Sequence, residues 1–356
     1  MPRAAVLTAP HRIDIQQRQA LPLRPGEARV QIQLAGVCGT DLAIYSGDYP
    51  VPLPLVLGHE WCGQVIETGP GVSPAWNGTR VIGEINNHCR ARRRRDPCAL
   101  CVLGHPNHCL ERSVTGIVGH DGALQEELVL PADNLFRVPE RINANESVLI
   151  EPLAAALRTF DLSPIEPGDQ VVVLGAGRLG LLTALVAKAL GAQVLCATRT
   201  TRRDPSTWGL ERILWNLEDR QAPRDPLAPA ASPLLEQVLA RSEGRGADLV
   251  IEATGTPQGL VAATDLVRPR GTIALKSTPG LSSPGLPLTR LVVHEVRLQG
   301  SRCGSFARAL EFQARHGLPL QKLVSARFPL TRLEDALAAA RTESKVLIEV
   351  AGDRTP

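Results

Sequence analysis

The sequence has no strong excess of charge, no long uninterrupted apolar run and no apolar stretch at its N-terminus. Thirty-nine Lys and Arg residues against 36 Asp and Glu residues give a formal charge of +3, which is too small to indicate a nucleic-acid partner. The apolar segment 171–192 is interrupted by Arg178, Lys188 and four glycines, which argues against a membrane span. The first residues lack the apolar core of a signal peptide. We therefore expect a cytoplasmic protein that binds neither nucleic acid nor membrane.

The chain of 356 residues is long enough for two domains, and its residue pattern changes near position 150. Up to that point, short apolar or alternating segments separated by Pro and Gly predict a β-rich, barrel-like domain. The strands predicted there cover 28–34, 62–67, 80–85 and 124–130.

From Gln170 onward, strand and helix patterns alternate. An apolar strand at 171–174 precedes a helical pattern up to Leu190, and another strand follows at 193–197. Further strands are predicted at 247–252, 271–275 and 296–300, with helices at 234–241 and 258–267. This alternation predicts a doubly wound parallel sheet and hence an α/β fold. The segment 200–233 predicts a helix carrying Trp208 and Trp215 and then a loop, without an assignable function.

The segment Gly175-Ala-Gly177-Arg-Leu-Gly180 follows the first apolar strand of this second part and opens a helix. The first glycine permits a tight turn, the second lets the backbone approach a pyrophosphate, and the third lets the helix pack close to the strand. We therefore expect this loop, including Arg178 and Leu179, to bind a nicotinamide dinucleotide. A glycine-rich turn without a ligand is the weaker alternative.

Two short motifs supply the donor types that zinc prefers. Gly36-Val-Cys38-Gly-Thr40-Asp41 carries a thiolate, and Gly58-His59-Glu60 carries an imidazole and a carboxylate. Glu151 adds another carboxylate. A zinc ion held by three protein groups can use its open position to polarise an alcohol oxygen, so that a hydride departs from an alkoxide. The hydroxyl of Thr40 is close enough in sequence to accept the alcohol proton. Each of these side chains taken alone would more often be structural.

These motifs, together with a cysteine-rich lobe, IEPLA, VLGAGRLG and DLVIEATG in the same order, resemble the medium-chain dehydrogenase/reductase superfamily in its zinc-dependent alcohol, polyol and glucose dehydrogenase branch. The resemblance implies a GroES-like catalytic domain of residues 1–152 and 302–356, with a structural-zinc lobe at about 86–112, and a Rossmann domain of residues 153–301. It also implies a homodimer or homotetramer that acts on an alcohol, polyol or sugar, or on its carbonyl partner.

The resemblance further implies that Cys38 and His59 bind a catalytic zinc, that Glu60 or Glu151 completes the site, and that Asp41 orients His59. Many relatives carry a histidine where this chain has Ala43, so the outer end of the proton relay stays unassigned.

Cys98, Cys101 and Cys109 match the last three thiolates of the family's structural-zinc lobe, and Cys89 is available as the fourth. Between Cys89 and Cys98 lie eight residues, RARRRRDP, where relatives usually have two. We expect this loop to bulge outward with its arginines in water. Four reduced cysteines without a metal are the alternative, since disulfides are not favoured in a cytosolic protein.

The second strand of the cofactor domain ends at Thr198, where an NAD-preferring site has an Asp or Glu. The missing carboxylate and the nearby Arg199, Arg202 and Arg203 predict a preference for NADP(H) over NAD(H), although the last two could simply face water. Two other functions stay open: a zinc-independent reductase of the quinone or enoyl type, and a nonenzymatic NADPH-binding protein on the same fold.

Overall fold

The computed structural model describes residues 1–199, 204–216, 221, 225, 227–277 and 285–351, and it divides the chain into two compact units. The first unit combines Met1–Glu151 with the chain from Ser305 onward, and the second is Pro152–Gly304. Within the described part of the chain, no helix is both long enough and apolar enough to cross a bilayer.

The strands, in chain order, are β1 Arg3–Ala9, β2 Arg12–Gln17, β3 Glu27–Gly36, β4 Leu55–Val56, β5 Glu60–Thr68, β6 Arg80–Gly83, β7 Asn86–Asn87, β8 Ser113–Val114, β9 Glu127–Pro131, β10 Leu135–Arg137, β11 Gln170–Leu174, β12 Gln193–Thr198, β13 Glu211–Leu214, β14 Ala247–Glu252, β15 Val267–Leu275, β16 Arg297–Gly300, β17 Val324–Pro329 and β18 Lys345–Glu349. The helices are α1 Gly39–Ser46, α2 Ala99–Val102, α3 Ala144–Val148, α4 Ile150–Leu162, α5 Arg178–Ala189, α6 Pro233–Arg241, α7 Pro257–Leu266, α8 Leu288–Val293, α9 Phe306–His316 and α10 Leu333–Ala340.

The first unit is built on a sheet in the order β10-β6-β5-β3-β18-β17, with β9 pairing to β3 as well. Strand β3 is central because it pairs antiparallel with β5, β9 and β18. Most of its residues are therefore buried. The pairing with β18 brings a strand from the end of the chain into this unit. The register also places Gly36 opposite Glu60, so the segments that follow β3 and precede β5 lie side by side.

The second unit is a parallel six-stranded sheet in the order β13-β12-β11-β14-β15-β16. This order runs outward in both directions from β11, as it does in dinucleotide-binding sheets, whose ligands bind at the carboxyl ends of the strands where the order reverses. All residues of β11 are buried, because helices cover both faces of a doubly wound sheet. The prediction of an α/β fold with a doubly wound sheet is confirmed.

The prediction of a helix through Trp208 and Trp215 is wrong in its second half. A short 3₁₀ turn covers Pro205–Trp208, and Gly209 then adopts a left-handed conformation with φ of 68°. The chain continues as β13, which pairs with β12 and leads directly to Trp215. Trp215 is 5% exposed and packs in the core of the second unit, so its burial beside the sheet outweighs the local helical pattern.

Candidate functional site

Three side chains with metal-binding atoms meet at the adjoining ends of β3 and β5. The Cys38 sulfur, a ring nitrogen of His59 and a carboxylate oxygen of Glu60 all lie within 4.8 Å of one another. His59 and Glu60 are buried, and Cys38 is half-buried. The antiparallel register of β3 and β5 explains the meeting, since Cys38 is the second residue after β3 and Glu60 is the first residue of β5. We call these three residues the Cys38 group.

Asp41 ties the two segments of the Cys38 group together. Its Oδ2 accepts a hydrogen bond of 2.7 Å from the Cys38 backbone N–H, and its Oδ1 accepts one of 3.2 Å from Gly58 N–H. The same Oδ1 lies 3.4 Å from His59 Nδ1. Asp41 is fully buried in the first turn of α1, where a carboxylate satisfies backbone N–H groups and complements the helix dipole. It therefore fixes both the start of α1 and the surroundings of His59.

Two positions in the motifs that carry this group favour glycine, one because of space and one because of backbone conformation. A Cβ atom at Gly36 would lie 2.5 Å from Glu60 Oε2, so a larger residue would displace that carboxylate. Gly58 has a φ of +96°, which side chains disfavour. These positions show why the motif residues around the donors are as restricted as the donors themselves.

Lys345 also reaches the Cys38 group, and no motif in the sequence indicates this. Its Nζ forms an ion pair with Glu60 Oε2 and donates a hydrogen bond of 3.3 Å to the carbonyl of Val37. The side chains of Lys345 and Glu60 are only 5% and 2% exposed. The only signal in the sequence was a lysine at the start of the apolar strand β18, 285 residues from its partner.

The electrostatics of the Cys38 group fit a cation. Burial lowers the pKa of His59, but the neighbouring Asp41 and Cys38 outweigh it and hold that pKa well above its usual value. The pocket therefore favours positive charge at this imidazole, even though His59 is 3% exposed. A metal ion bound by the three donors supplies that charge in place of the proton. A thiolate, an imidazole and a carboxylate are also the donor set that zinc accepts, so the residues present fit a zinc ion.

Two further predicted residues lie at the edge of this arrangement. Thr40 is half-buried in α1, and its hydroxyl lies 3.9 Å from the Cys38 sulfur. Glu151 lies half-buried in the first turn of α4. It is not among the described side chains whose donor atoms meet within 4.8 Å, so the structure brings Glu60 rather than Glu151 into the group.

Four cysteines form a second group in the first unit. The sulfurs of Cys89, Cys98, Cys101 and Cys109 all lie within 4.8 Å of one another, and none of the four is in a disulfide. The Cys109 sulfur lies 3.5 Å from that of Cys89 and 3.7 Å from that of Cys98. Zinc–sulfur bonds of about 2.3 Å in a tetrahedron place sulfurs about 3.8 Å apart. These spacings therefore fit a closed four-thiolate zinc site.

Backbone donors prepare at least one of these thiols to bind a metal. The N–H groups of Cys101 and Leu110 lower the pKa of the Cys98 thiol to about 6, and Leu110 N–H lies 3.4 Å from the Cys98 sulfur. Since the thiolate is the form that binds metal, Cys98 favours the state that a zinc ion needs, whereas burial raises the pKa of the Cys101 thiol to about 12.

The arginines of the loop between Cys89 and Cys98 are exposed, as expected, but three of them also bind acceptors of the protein. Arg93 makes two hydrogen bonds of 2.9 and 2.6 Å to Asp133 and a third of 2.9 Å to the Gly71 carbonyl. Arg92 donates to Ser113 and to the Glu111 carbonyl, and Arg94 pairs with the Glu111 side chain. These acceptors therefore hold the loop against the rest of the first unit.

In the second unit, the glycine loop has the geometry that its spacing predicts. Gly175 has a φ of +95°, and a Cβ atom there would lie 2.8 Å from the Ala253 carbonyl. A Cβ atom at Gly180 would lie 1.9 Å from the Gly175 carbonyl, whereas one at Gly177 would meet no described atom within 4 Å. The loop is therefore tightly packed at its first and third glycines and open at the second. Arg178 and Leu179, both partly buried, begin α5.

At the end of β12, Thr198 is 7% exposed and its carbonyl accepts a hydrogen bond from Trp215. Arg199 follows it and is exposed. Arg202 and Arg203 lie outside the described residues. The nearest following acid is Asp204, which accepts a hydrogen bond of 2.9 Å from Ser206 N–H and pairs with Arg212 at 3.2 Å. These two partners lower the pKa of the Asp204 carboxyl, the hydrogen bond with Ser206 having the larger effect.

Comparison with known proteins agrees with both units. Residues 24–140 match the family model described as alcohol dehydrogenase GroES-like domain, and residues 179–315 match the one described as zinc-binding dehydrogenase. The chain is 31% identical over 344 residues to L-galactonate-5-dehydrogenase of Escherichia coli, covering 94% of each chain. It is 28% identical over 359 residues to probable D-xylulose reductase A of Emericella nidulans, covering 98% of this chain and 95% of the relative.

Solved structures show the same fold. A zinc-binding dehydrogenase from Sinorhizobium meliloti, bound to NADP, superposes with a TM-score of 0.83 at 28% identity, over 98% of this chain and 99% of the other. An alcohol dehydrogenase from Escherichia coli, complexed with NADH, superposes with a TM-score of 0.85 at 26% identity over the same shares. The family models, the relatives and the two-unit fold agree. The chain therefore belongs to the zinc-dependent medium-chain dehydrogenase family, and it is an alcohol dehydrogenase-like oxidoreductase with a GroES-like domain and a Rossmann domain.

Proposed function

We propose that this enzyme uses zinc at the Cys38 group and transfers a hydride between NADP(H) and the hydroxyl-bearing carbon of a polyol or sugar-derived alcohol, or the carbonyl carbon of the oxidised form. The observation that carries the proposal is the meeting of the Cys38, His59 and Glu60 donors within 4.8 Å. L-galactonate-5-dehydrogenase and D-xylulose reductase A are named for polyhydroxylated compounds, which supports the same substrate class here.

The residues of the chain have distinct roles in this reaction. Cys38, His59 and Glu60 hold the zinc, which, when bound, lowers the pKa of a substrate hydroxyl. Thr40, whose hydroxyl lies 3.9 Å from the Cys38 sulfur, takes the proton that the substrate hydroxyl loses and releases its own outward. Asp41, whose Oδ1 lies 3.4 Å from His59 Nδ1, orients the imidazole. Glu151 is the second carboxylate available near the beginning of α4, and Cys89, Cys98, Cys101 and Cys109 hold a structural zinc.

The preference for NADP(H) rests on the end of β12. A carboxylate at the Thr198 position would accept hydrogen bonds from the ribose hydroxyls of NAD and would repel a 2′-phosphate. Thr198 has no charge, and the exposed Arg199 can pair with a phosphate. Asp204 does not replace the missing acid, because Ser206 and Arg212 already engage its carboxylate. Arg202 and Arg203 are further candidates for the phosphate.

We also propose that the enzyme is a homodimer or homotetramer. Strand β16 stands at an end of the sheet order of the second unit, and an exposed strand edge is a ready template for pairing with another chain. Leu298 on this strand is 42% exposed, and Val292 on the preceding helix α8 is 77% exposed. Analytical ultracentrifugation measures the mass in solution, and a monomer at micromolar concentration would overturn this part of the proposal.

Oxidation of a panel of polyols and simple alcohols with each cofactor tests the whole proposal. We expect turnover with polyols, a higher kcat/KM with NADP than with NAD, and a loss of that preference in Arg199→Ala. Cys38→Ala should abolish turnover and leave cofactor binding nearly intact, because the metal acts on the substrate and the glycine loop acts on the phosphates. Cofactor binding without turnover of any alcohol would instead support a nonenzymatic role.

A further inference from the structure

The amine of Lys345 lies beside the Cys38 group, although the chemistry of hydride transfer does not require it. Lys345 pairs with Glu60 Oε2, and its side chain is 5% exposed. The three residues that follow it in β18, Val346, Leu347 and Ile348, are each 0% exposed. Lys345 is therefore a charged residue at the start of an otherwise apolar buried stretch.

A buried lysine is costly to the fold. Taking an ammonium and a carboxylate out of water costs several kcal/mol for each ion, and replacing such a pair by apolar side chains of similar volume often leaves a protein as stable or more stable. The Lys345–Glu60 pair is therefore poorly explained by stability alone. Its position beside the metal donors offers another explanation.

The ammonium touches both segments that carry the metal donors. Its hydrogen bond to the Val37 carbonyl reaches the residue before Cys38, and its ion pair reaches Glu60, the residue after His59. The Val37 N–H also donates to the Val346 carbonyl at 3.0 Å. The first two residues of β18 thus hold the end of β3 and the beginning of β5 at the point where the donors meet.

A metal ion and Lys345 compete for one carboxylate. Glu60 belongs to the Cys38 group through its carboxylate, and the same carboxylate is paired with the ammonium. An oxygen engaged by an ammonium donates less electron density to a metal, and a positive charge so close also opposes a divalent cation. Both effects weaken Glu60 as a metal ligand.

We propose that Lys345 is a positioning residue that draws the Glu60 carboxylate partly away from the catalytic metal and so leaves that ion better able to polarise the substrate hydroxyl. This inference rests on the proposed use of zinc at the Cys38 group. Without the ammonium, Glu60 binds the metal fully. The metal is then held more tightly, and the added electron density from Glu60 makes it a weaker Lewis acid toward a substrate in its open position.

The test uses the metal-loaded full-length enzyme with Lys345→Gln, which removes the charge but keeps a hydrogen-bond donor near Val37. The first measurement is the rate at which a chelator removes the metal ion from the Cys38 group. This ion is distinguished from the one at the four cysteines because Cys38→Ala lacks it. The second is the visible absorption spectrum after Co²⁺ replaces that ion, since the spectrum reports the number and type of ligands. The third is kcat and KM for the best alcohol of the panel.

We expect metal loss from Lys345→Gln to be slower and kcat to be lower, each by roughly tenfold or more, the size typical for groups that orient a metal ligand. The Co²⁺ spectrum should change, and KM for the cofactor should not. Lys345→Arg keeps a positive charge and should restore a near-wild-type spectrum. Lys276→Gln is the matched control: Lys276 is another buried lysine, in the second unit, and its substitution should leave metal loss unchanged.

Unchanged or faster metal loss, or an unchanged Co²⁺ spectrum, in Lys345→Gln would overturn the inference. If that variant fails to fold, Glu60→Gln is compared with the double variant Glu60→Gln and Lys345→Gln, which buries no charge at either position. Because Lys345 acts through Glu60, metal loss in these two proteins must agree, and a difference between them rejects the inference. The proposed function fails separately, if Cys38→Ala retains full turnover.

Discussion

Replacing Asp41 by Asn changes one atom of a fully buried side chain and tests how the Cys38 group is held. The carboxylate accepts hydrogen bonds from two backbone N–H groups, those of Cys38 and Gly58, and it lies 3.4 Å from His59 Nδ1. An asparagine side chain has a single acceptor oxygen, and its NH₂ group can only donate. One of the two N–H groups therefore loses its partner.

The expected loss follows from these contacts. A buried donor without a partner costs about 1–3 kcal/mol, and removing a negative charge from the first turn of α1 costs about 0.3–1 kcal/mol more. We expect Asp41→Asn to lower the free energy of unfolding by about 1–4 kcal/mol in total. Loss of the group that orients His59 should also weaken metal binding at the Cys38 group by about 10- to 100-fold.

Denaturant unfolding of wild type and variant, with the metal content of the folded protein measured by elemental analysis, tests both numbers. Asp48→Asn is the control, because Asp48 is exposed just beyond α1 and bonds only to the nearby Ser46 hydroxyl among described partners. Its effect should stay within about 0.5 kcal/mol. An Asp41→Asn protein as stable as wild type that retains its metal would refute the account of the motif.

Three other substitutions test separate parts of the chain. Gly180→Ala places a methyl group 1.9 Å from the Gly175 carbonyl, which should lower the free energy of unfolding by about 1–3 kcal/mol. NADPH titration by fluorescence should show at least about tenfold weaker binding, and wild-type affinity would contradict the packing. Cys98→Ser should leave one zinc ion per chain and lower the melting temperature, since structural zinc contributes to folding; two retained zinc ions would reject the four-thiolate site. Arg93→Ala removes a half-exposed pair with Asp133 and should cost at most about 1 kcal/mol in thermal or chemical unfolding, so a larger loss would show that the arginine loop is essential for the fold.

Local motifs made the metal donors and the glycine loop predictable, because Cys38 with Asp41, His59 with Glu60, and the glycines of the loop each lie within a few residues of one another. Cys38 and Asp41 are three residues apart, and their contact is made by the first turn of one helix. Gly175 and Gly180 are five residues apart, and the backbone of the loop brings the Gly175 carbonyl against the Cα of Gly180. In such cases spacing in the sequence determines spacing in the fold.

Lys345 was not predictable on the same basis. Its contact with Glu60 depends on the antiparallel pairing of β18 with β3, which joins the two ends of the chain. The acceptors of the arginine loop were not predictable for a related reason, since Asp133 and Gly71 lie 40 and 22 residues from Arg93. A run of like charges looks solvated in the sequence, and only the tertiary fold shows which acceptors stand opposite it.

The charges around the Cys38 group give a further reason for the identity of its metal. With His59 neutral, a metal-bound Cys38 thiolate and the Glu60 and Asp41 carboxylates bring three negative charges, and Lys345 brings one positive charge. The remaining two negative charges lie in a group whose side chains, apart from the half-buried Cys38, are almost entirely buried, and uncompensated charge is costly there. Burial alone would lower the pKa of His59, but Asp41 and Cys38 raise it, which shows that this environment attracts positive charge. A divalent ion removes the imbalance completely and lets the imidazole bind as a neutral ligand, whereas a monovalent or trivalent ion would leave a net charge buried. Charge balance therefore selects a divalent metal independently of the donor atoms.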